Sequence, residues 1–121
     1  MNFTLICGIS SAGTTTYSKQ FDNVIHLDDY RSFHACNNEV SKITNDTYLE
    51  GVYITKQMRM DLLKKVPEGF HKKCIFLNTS LDEALRCKLK YRADKLMIEQ
   101  SKILEPPTYD EGWDEIVTID R

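Results

Sequence analysis

Net charge is almost absent from this sequence. Its 16 basic and 18 acidic side chains leave −2 at pH 7, which excludes whole-surface attraction to nucleic acid or anionic membrane. Long apolar runs are lacking too. The first one, Phe3 to Cys7, has no basic residue before it and is too short for a signal peptide or a membrane span. The four cysteines, Cys7, Cys36, Cys74 and Cys87, form no C-x-x-C pair, and no histidine spacing completes a zinc site. Cys7 and Cys74 lie inside apolar runs and read as small buried hydrophobes. A reducing compartment, and so the cytoplasm, is the expected location, with no membrane partner. Internal repeats and low-complexity segments are also missing. At 121 residues the expectation is a single domain over 1–121, long enough to bury one core without staples.

What is present is an ordinary globular composition, 41% apolar and 28% charged, in which short apolar runs alternate with helix-like stretches. Strands are expected at Phe3–Cys7, Asn23–Leu27, Thr47–Val52, Cys74–Leu77 and Ile116–Ile119. Helices are expected at Thr14–Phe21 and at Thr55–Val66, where Met58, Leu62, Leu63 and Val66 share one face. Between Arg31 and Asp46 the polar, poorly periodic sequence suggests a short helix and a loop. Ser80 followed by Glu83 reads as a capping box opening a helix to about Arg92. Another helix over Asp94–Leu104 is stopped by Pro106-Pro107. Apolar strands separated by helices imply an α/β fold: a parallel, five-stranded sheet covered on both faces, a three-layer α/β/α arrangement. Ligands of such sheets bind beyond the carboxyl ends of the strands, which directs attention to residues 8–15, 28–31, 50–55, 78–80 and the segment before the last strand.

The first of these segments, Gly8-Ile9-Ser10-Ser11-Ala12-Gly13-Thr14-Thr15, follows a strand and opens a helix. Its glycines have the spacing of the phosphate-binding pattern G-x-x-x-x-G-K-[ST], and Thr15 matches the hydroxyl that ligates Mg²⁺. The lysine position holds Thr14. Backbone N–H groups ending on a helix N-terminus still favour a polyphosphate, so Gly8, Ser10, Ser11, Ala12, Gly13, Thr14, Thr15 and Thr16 are the candidate nucleotide-binding residues. A hydrogen bond to a charged group is worth about 1.5–3 kcal/mol, so losing the lysine weakens binding about ten- to a hundredfold. Losing a donor aimed at transition-state charge costs on the order of 10²–10³ in rate. The alternative reading is a glycine turn with no ligand.

Elsewhere, Asp28-Asp29 after the second strand is either an acidic turn or the place for a base near a γ-phosphate. Basic residues dominate from Lys56 to Lys95. They read as solvated helix faces or as a phosphate-accepting surface. Trp113 reads as a core anchor, His26 as structural, His34 and His71 as exposed, and Met58, Met60 and Met97 as packing.

Several segments together give the chain its resemblance. Asp28-Asp29-Tyr30-Arg31 matches a D-D-Y-R segment. Glu50 to Arg59 is similar to D-x-T-N followed by a helix bearing an arginine. Phe76 to Arg86 resembles F-L-x-T-x-L-E-E-x-L-R, and Glu105 to Ile116 resembles P-P-T-x-x-E-G-[FW]-D-E-I. Over nearly its whole length the chain therefore resembles the P-loop kinases of the polynucleotide kinase group, of the phage and bacterial type. The resemblance implies a P-loop NTPase-like fold, ATP and Mg²⁺ as cofactors, Asp28 as the base, and Arg31 as the clamp on an acceptor phosphate. It also implies lid arginines, here Arg86 and Arg92, and Glu50 beside Thr15 at the metal. The acceptor would be a nucleotide, a nucleic-acid 5′ end or another small hydroxyl compound.

The departures fall on groups that handle the γ-phosphate or the acceptor. Thr14 replaces the lysine, and Cys87 replaces one lid arginine. The other lid arginine is displaced, leaving Arg92 or Lys90, and the stretch from Arg31 to Thr47 is short. A retired kinase that binds nucleotide or a protein partner would show this pattern. So would an active phosphotransferase with relocated cations. A nucleic-acid binder using the basic band is the third reading.

Overall fold

In the computed structural model the chain is described over residues 1–10, 12–87 and 94–120. Its elements are β1 (Asn2–Cys7), α1 (Thr14–Ser18), β2 (Val24–His26), α2 (Phe33–Val40), β3 (Thr47–Gly51), α3 (Lys56–Leu63), β4 (His71–Asn78), α4 (Leu81–Cys87), α5 (Asp94–Ile103) and β5 (Glu115–Asp120). Single 3₁₀ turns lie at Leu27–Asp29 and Tyr109–Glu111.

The five strands form one parallel sheet in the order β2-β3-β1-β4-β5. Alternation along the strands sends side chains to two cores. Phe3, Leu5 and Cys7, with Leu49, Cys74 and Phe76, meet Cys36 and Val40 of α2 and Leu62 of α3. Ile6, Ile75 and Leu77 meet Ala84 of α4 and Met97 of α5, with Tyr17 of α1 against them. The result is three layers, with α2 and α3 on one face and α1, α4 and α5 on the other. Leu5 is fully buried at the centre. Truncating such a leucine to alanine costs about 2–5 kcal/mol.

The helix starts follow from local chemistry. Ser32 accepts from the Ala35 N–H and Thr55 from the Met58 N–H, each satisfying a donor that the first turn leaves open. Ser80 accepts from the Glu83 N–H as expected. The Glu83 carboxylate pairs with Arg86. A capping box also forms between Thr108 and Glu111.

Several boundaries differ from the sequence expectation. Helix α1 stops at Ser18, not Phe21. The Ser18 hydroxyl bonds back to the Thr15 carbonyl, and Phe21 turns away to stack on Tyr48, with ring centroids 4.2 Å apart. Strand β4 begins at His71, not Cys74. The polar side chains of His71, Lys72 and Lys73 carry no apolar signal, but their backbones pair with Asn2, Phe3 and Thr4. Helix α3 ends at Leu63, short of Val66. The expected continuation of α4 to Arg92 lies outside the described residues.

Candidate functional site

Neighbouring strands β1 and β3 lead to helices on opposite faces of the sheet. That arrangement opens a crevice at their carboxyl ends, the place where parallel α/β sheets take ligands. Two segments meet there: the Gly8–Thr15 loop from β1, and Glu50 from β3.

Both loop glycines are required by shape. A Cβ on Gly8 would stand 2.9 Å from the Ala12 Cβ and 3.0 Å from the Leu77 carbonyl oxygen. Gly13 caps α1 with φ of 96°, a left-handed conformation that side chains resist. The Ala12 N–H donates to the Ile9 carbonyl at 3.0 Å. The Ser10 N–H donates to Gln100 Oε1 of α5 at 2.7 Å. Thr79, past the end of β4, donates from its hydroxyl to the Ala12 carbonyl at 3.3 Å. Ser11 lies outside the described residues.

The first two threonines of α1, Thr14 and Thr15, converge on Glu50. This carboxylate is almost fully buried and belongs to the face that α1 covers, since its register partner is Ile6. Thr14 Oγ1 donates to Glu50 Oε2 at 2.7 Å, and Thr15 Oγ1 lies 3.3 Å from each carboxylate oxygen. From the other side His26 Nδ1 reaches Glu50 Oε1 at 2.9 Å. Where the motif has a lysine, Thr14 thus supplies a neutral donor to the carboxylate. Thr16 is exposed in the first turn of α1. The sequence pointed to Glu50 and Thr15 but left His26 as a structural residue. No sequence signal ties His26 to Glu50: the contact follows from the register of β2 with β3, which pairs the last residue of β2 with the penultimate residue of β3.

The remaining candidates are placed unevenly. Leu27 packs over Gly51, where a Cβ would come within 2.7 Å of it. The 3₁₀ turn that starts there carries Asp28, exposed on the same rim of the sheet, with Arg31 exposed three residues further on. Arg86 is on α4, exposed and paired with Glu83. Arg92 and Lys90 lie outside the described residues.

Arg59 is not a surface cation at all. It is fully buried, with Nε and Nη2 on the two oxygens of Glu111 at 2.8 and 3.0 Å and Nη1 on the Tyr53 carbonyl at 3.0 Å. The basic band from Lys56 to Lys95 is correspondingly not one surface. Lys56 follows the carboxyl end of β3, Lys72 and Lys73 lie at the amino end of β4, and Arg59 is inside. Lys64 and Lys73 face Asp61 and Glu115. Trp113 is buried as expected, and its Nε1 donates to Glu111. His34 and His71 are exposed.

Glu50 and Thr15 offer carboxylate and hydroxyl oxygens, the donors that Mg²⁺ prefers, so their chemistry fits that ion. Among the described residues no group of three or more His, Cys, Asp or Glu is arranged to hold a metal ion; the fit is to a cation that keeps most of its ligands from outside the protein. A separate cleft of about 260 Å³ lies beside the edge strand β2. It is lined by Asn23, Ile25, Tyr30, Lys42, Ile43 and Thr47, among others, and by none of the loop residues. Among the described residues no helix is long and apolar enough to cross a membrane.

No protein-family model matches the chain, and no curated protein matches it in sequence. Solved structures do. A gluconokinase from Sinorhizobium meliloti 1021 superposes with a TM-score of 0.77 at 13% identity, over 98% of this chain and 82% of that one. A sugar kinase from Janibacter sp. HTCC2649 gives 0.73 at 11%, over 99% and 85%. A candidate kinase from Chloroflexus aurantiacus gives 0.63 at 14%, over 98% and 87%. At these identities the likeness is one of fold. The chain has the P-loop kinase-like fold, a three-layer α/β/α architecture on a five-stranded parallel sheet.

Proposed function

We propose that residues 1–121 act as one kinase-like unit that binds a nucleoside triphosphate with Mg²⁺ at the Gly8–Thr15 loop. The observation that carries this reading is the contact of the Thr15 hydroxyl with the buried Glu50 carboxylate at the crevice between β1 and β3. Glycines at 8 and 13 let the loop backbone approach a ligand closely, and α1 turns its open N–H groups toward the same place. Thr15 and Glu50 would hold Mg²⁺, which would supply neutralisation of phosphate charge when bound.

The activity assigned to this site is phosphoryl transfer in the manner of the polynucleotide kinase group. Asp28 takes the proton from an acceptor hydroxyl. The acceptor oxygen bonds to the γ-phosphorus as the bond to the bridging oxygen breaks, and ADP leaves. Arg31 holds an acceptor phosphate on a nucleotide or a nucleic-acid 5′ end. Arg86 and Arg92 are proposed to balance transferring charge.

A second reading is favoured by Thr14. Its hydroxyl is spent on Glu50, and a neutral donor does not balance charge on a transferring phosphoryl group. On that reading the chain binds nucleotide, or a protein partner, without transfer.

Titration calorimetry with ATP and Mg²⁺ tests the shared claim, and heat of binding is expected. A flat titration at millimolar ATP would remove both nucleotide readings. Transfer of the γ-phosphoryl group from ATP to 5′-hydroxyl oligonucleotides or nucleosides then separates them. Active transfer should vanish in Asp28→Asn while ATP binding stays intact.

A further inference from the structure

We propose that His26 is a positioning residue for the cation at this site, acting through Glu50; the inference rests on the nucleotide-binding reading above. Glu50 is hydrogen-bonded to all three of Thr14, Thr15 and His26, and its side chain is 5% exposed. A carboxylate offers acceptors alone. Thr14 engages Oε2, and His26 Nδ1 engages Oε1 at 2.9 Å.

These two contacts come from different elements, α1 and β2, and engage different oxygens, so together they restrain the carboxylate that the Thr15 hydroxyl also meets. Removing the imidazole takes this donor from Oε1 and leaves the carboxylate held by the two threonines alone. The β2–β3 register explains why the contact forms: His26 and Glu50 are paired positions on adjacent parallel strands, so their side chains leave the same face of the sheet.

The hydrogen-bond partners of a metal-binding carboxylate commonly change metal affinity about ten- to a hundredfold when removed. A lysine in the loop would lessen that dependence by supplying a fixed charge. With Thr14 there instead, the cation is the main neutralising charge available beside Glu50, and its placement matters more.

The test uses Mn²⁺ as the probe, followed by its electron paramagnetic resonance signal, with the full chain and a non-hydrolysable ATP analogue. His26→Ala should weaken Mn²⁺ binding in the presence of the analogue about ten- to a hundredfold. His26→Asn, whose side-chain amide can donate to the same oxygen, should recover most of it. Affinity for the analogue without metal should not change. Equal Mn²⁺ binding by the natural protein and His26→Ala would overturn the proposal. So would a loss in His26→Ala that His26→Asn leaves unrepaired, which would mark a packing role. If the natural protein fails to bind the analogue even in the presence of Mn²⁺ or Mg²⁺, the nucleotide reading itself falls, and this proposal with it.

Discussion

Arg59 and Glu111 form a two-pronged ion pair inside the protein, with essentially no solvent contact on either side chain. Arg59 comes from α3 and Glu111 from the turn before β5, so the pair ties the last strand to the middle of the chain. Its remaining polar atoms are engaged as well: Arg59 Nη2 reaches the Glu105 carbonyl, and Glu111 accepts from Trp113 Nε1 and the Thr108 N–H. Cutting one partner strands a buried charge. Glu111→Gln, nearly isosteric, is expected to cost about 3–5 kcal/mol in urea unfolding. Replacing both residues by apolar ones of similar volume should cost much less. A loss below about 1 kcal/mol for Glu111→Gln, the range of exposed pairs, would mean that water reaches the pair.

The same pair gives the stability a pH dependence of known sign. Burial pushes the Glu111 carboxyl upward, but hydrogen bonds from Arg59 and Trp113 outweigh it, and the net pKa lies below the ordinary value. A group depressed in the folded state contributes stability above its unfolded pKa, about 4.3 for glutamate, and that contribution is lost as pH falls through the folded pKa. The gap in melting temperature between the natural protein and Glu111→Gln should therefore be full near neutrality and narrow progressively below about pH 4. A gap that widens on acidification would contradict this assignment.

Gln100 offers a test of the loop itself. Its Oε1 takes the Ser10 N–H of a nearly buried loop residue. Gln100→Leu removes that acceptor, at a cost of about 1–3 kcal/mol if the N–H is left unpaired. As a hypothesis, a bound phosphate oxygen would replace the lost acceptor. Thermal stabilisation by ATP with Mg²⁺ should then be larger in Gln100→Leu than in the natural protein. Equal stabilisation in the two would place the Ser10 N–H outside any phosphate cradle.

The strands were legible because buried parallel strands are apolar throughout: Phe3–Cys7 and Cys74–Leu77 announce themselves, whereas the His71–Lys73 end of β4 is regular only through backbone pairing. The loop was legible from its glycine spacing, and Glu50 only through the resemblance of its segment to D-x-T-N. His26 was not, since a histidine next to a strand end carries no sign of its partner until β2 and β3 are in register. Arg59 misled for a related reason. A charge within a basic stretch reads as exposed, and its carboxylate partner stands 52 residues away. The P-P-T-x-x-E-G-W-D segment was recognisable as a pattern, yet its physical content, an anchor for that arginine, appears only in three dimensions.

Thr14 bears most directly on what the site can do. In the structure its hydroxyl lies against Glu50 at 2.7 Å, so a lysine substituted there starts beside a buried carboxylate. Without a divalent cation, that carboxylate opposes the approach of a polyphosphate, and the natural loop has no side-chain cation to offset it. With Mg²⁺ present, the ion takes over part of that task. Thr14→Lys is thus expected to strengthen ATP binding about ten- to a hundredfold, with the larger gain in metal-free buffer, so that binding becomes less dependent on Mg²⁺. Calorimetric titrations of both proteins with and without Mg²⁺ give the four affinities needed. If the lysine raises affinity equally in both conditions, it acts on the phosphates alone and Glu50 does not oppose them. If it raises neither, the phosphates do not lie beside residue 14, and the loop's two glycines serve only the turn from β1 into α1.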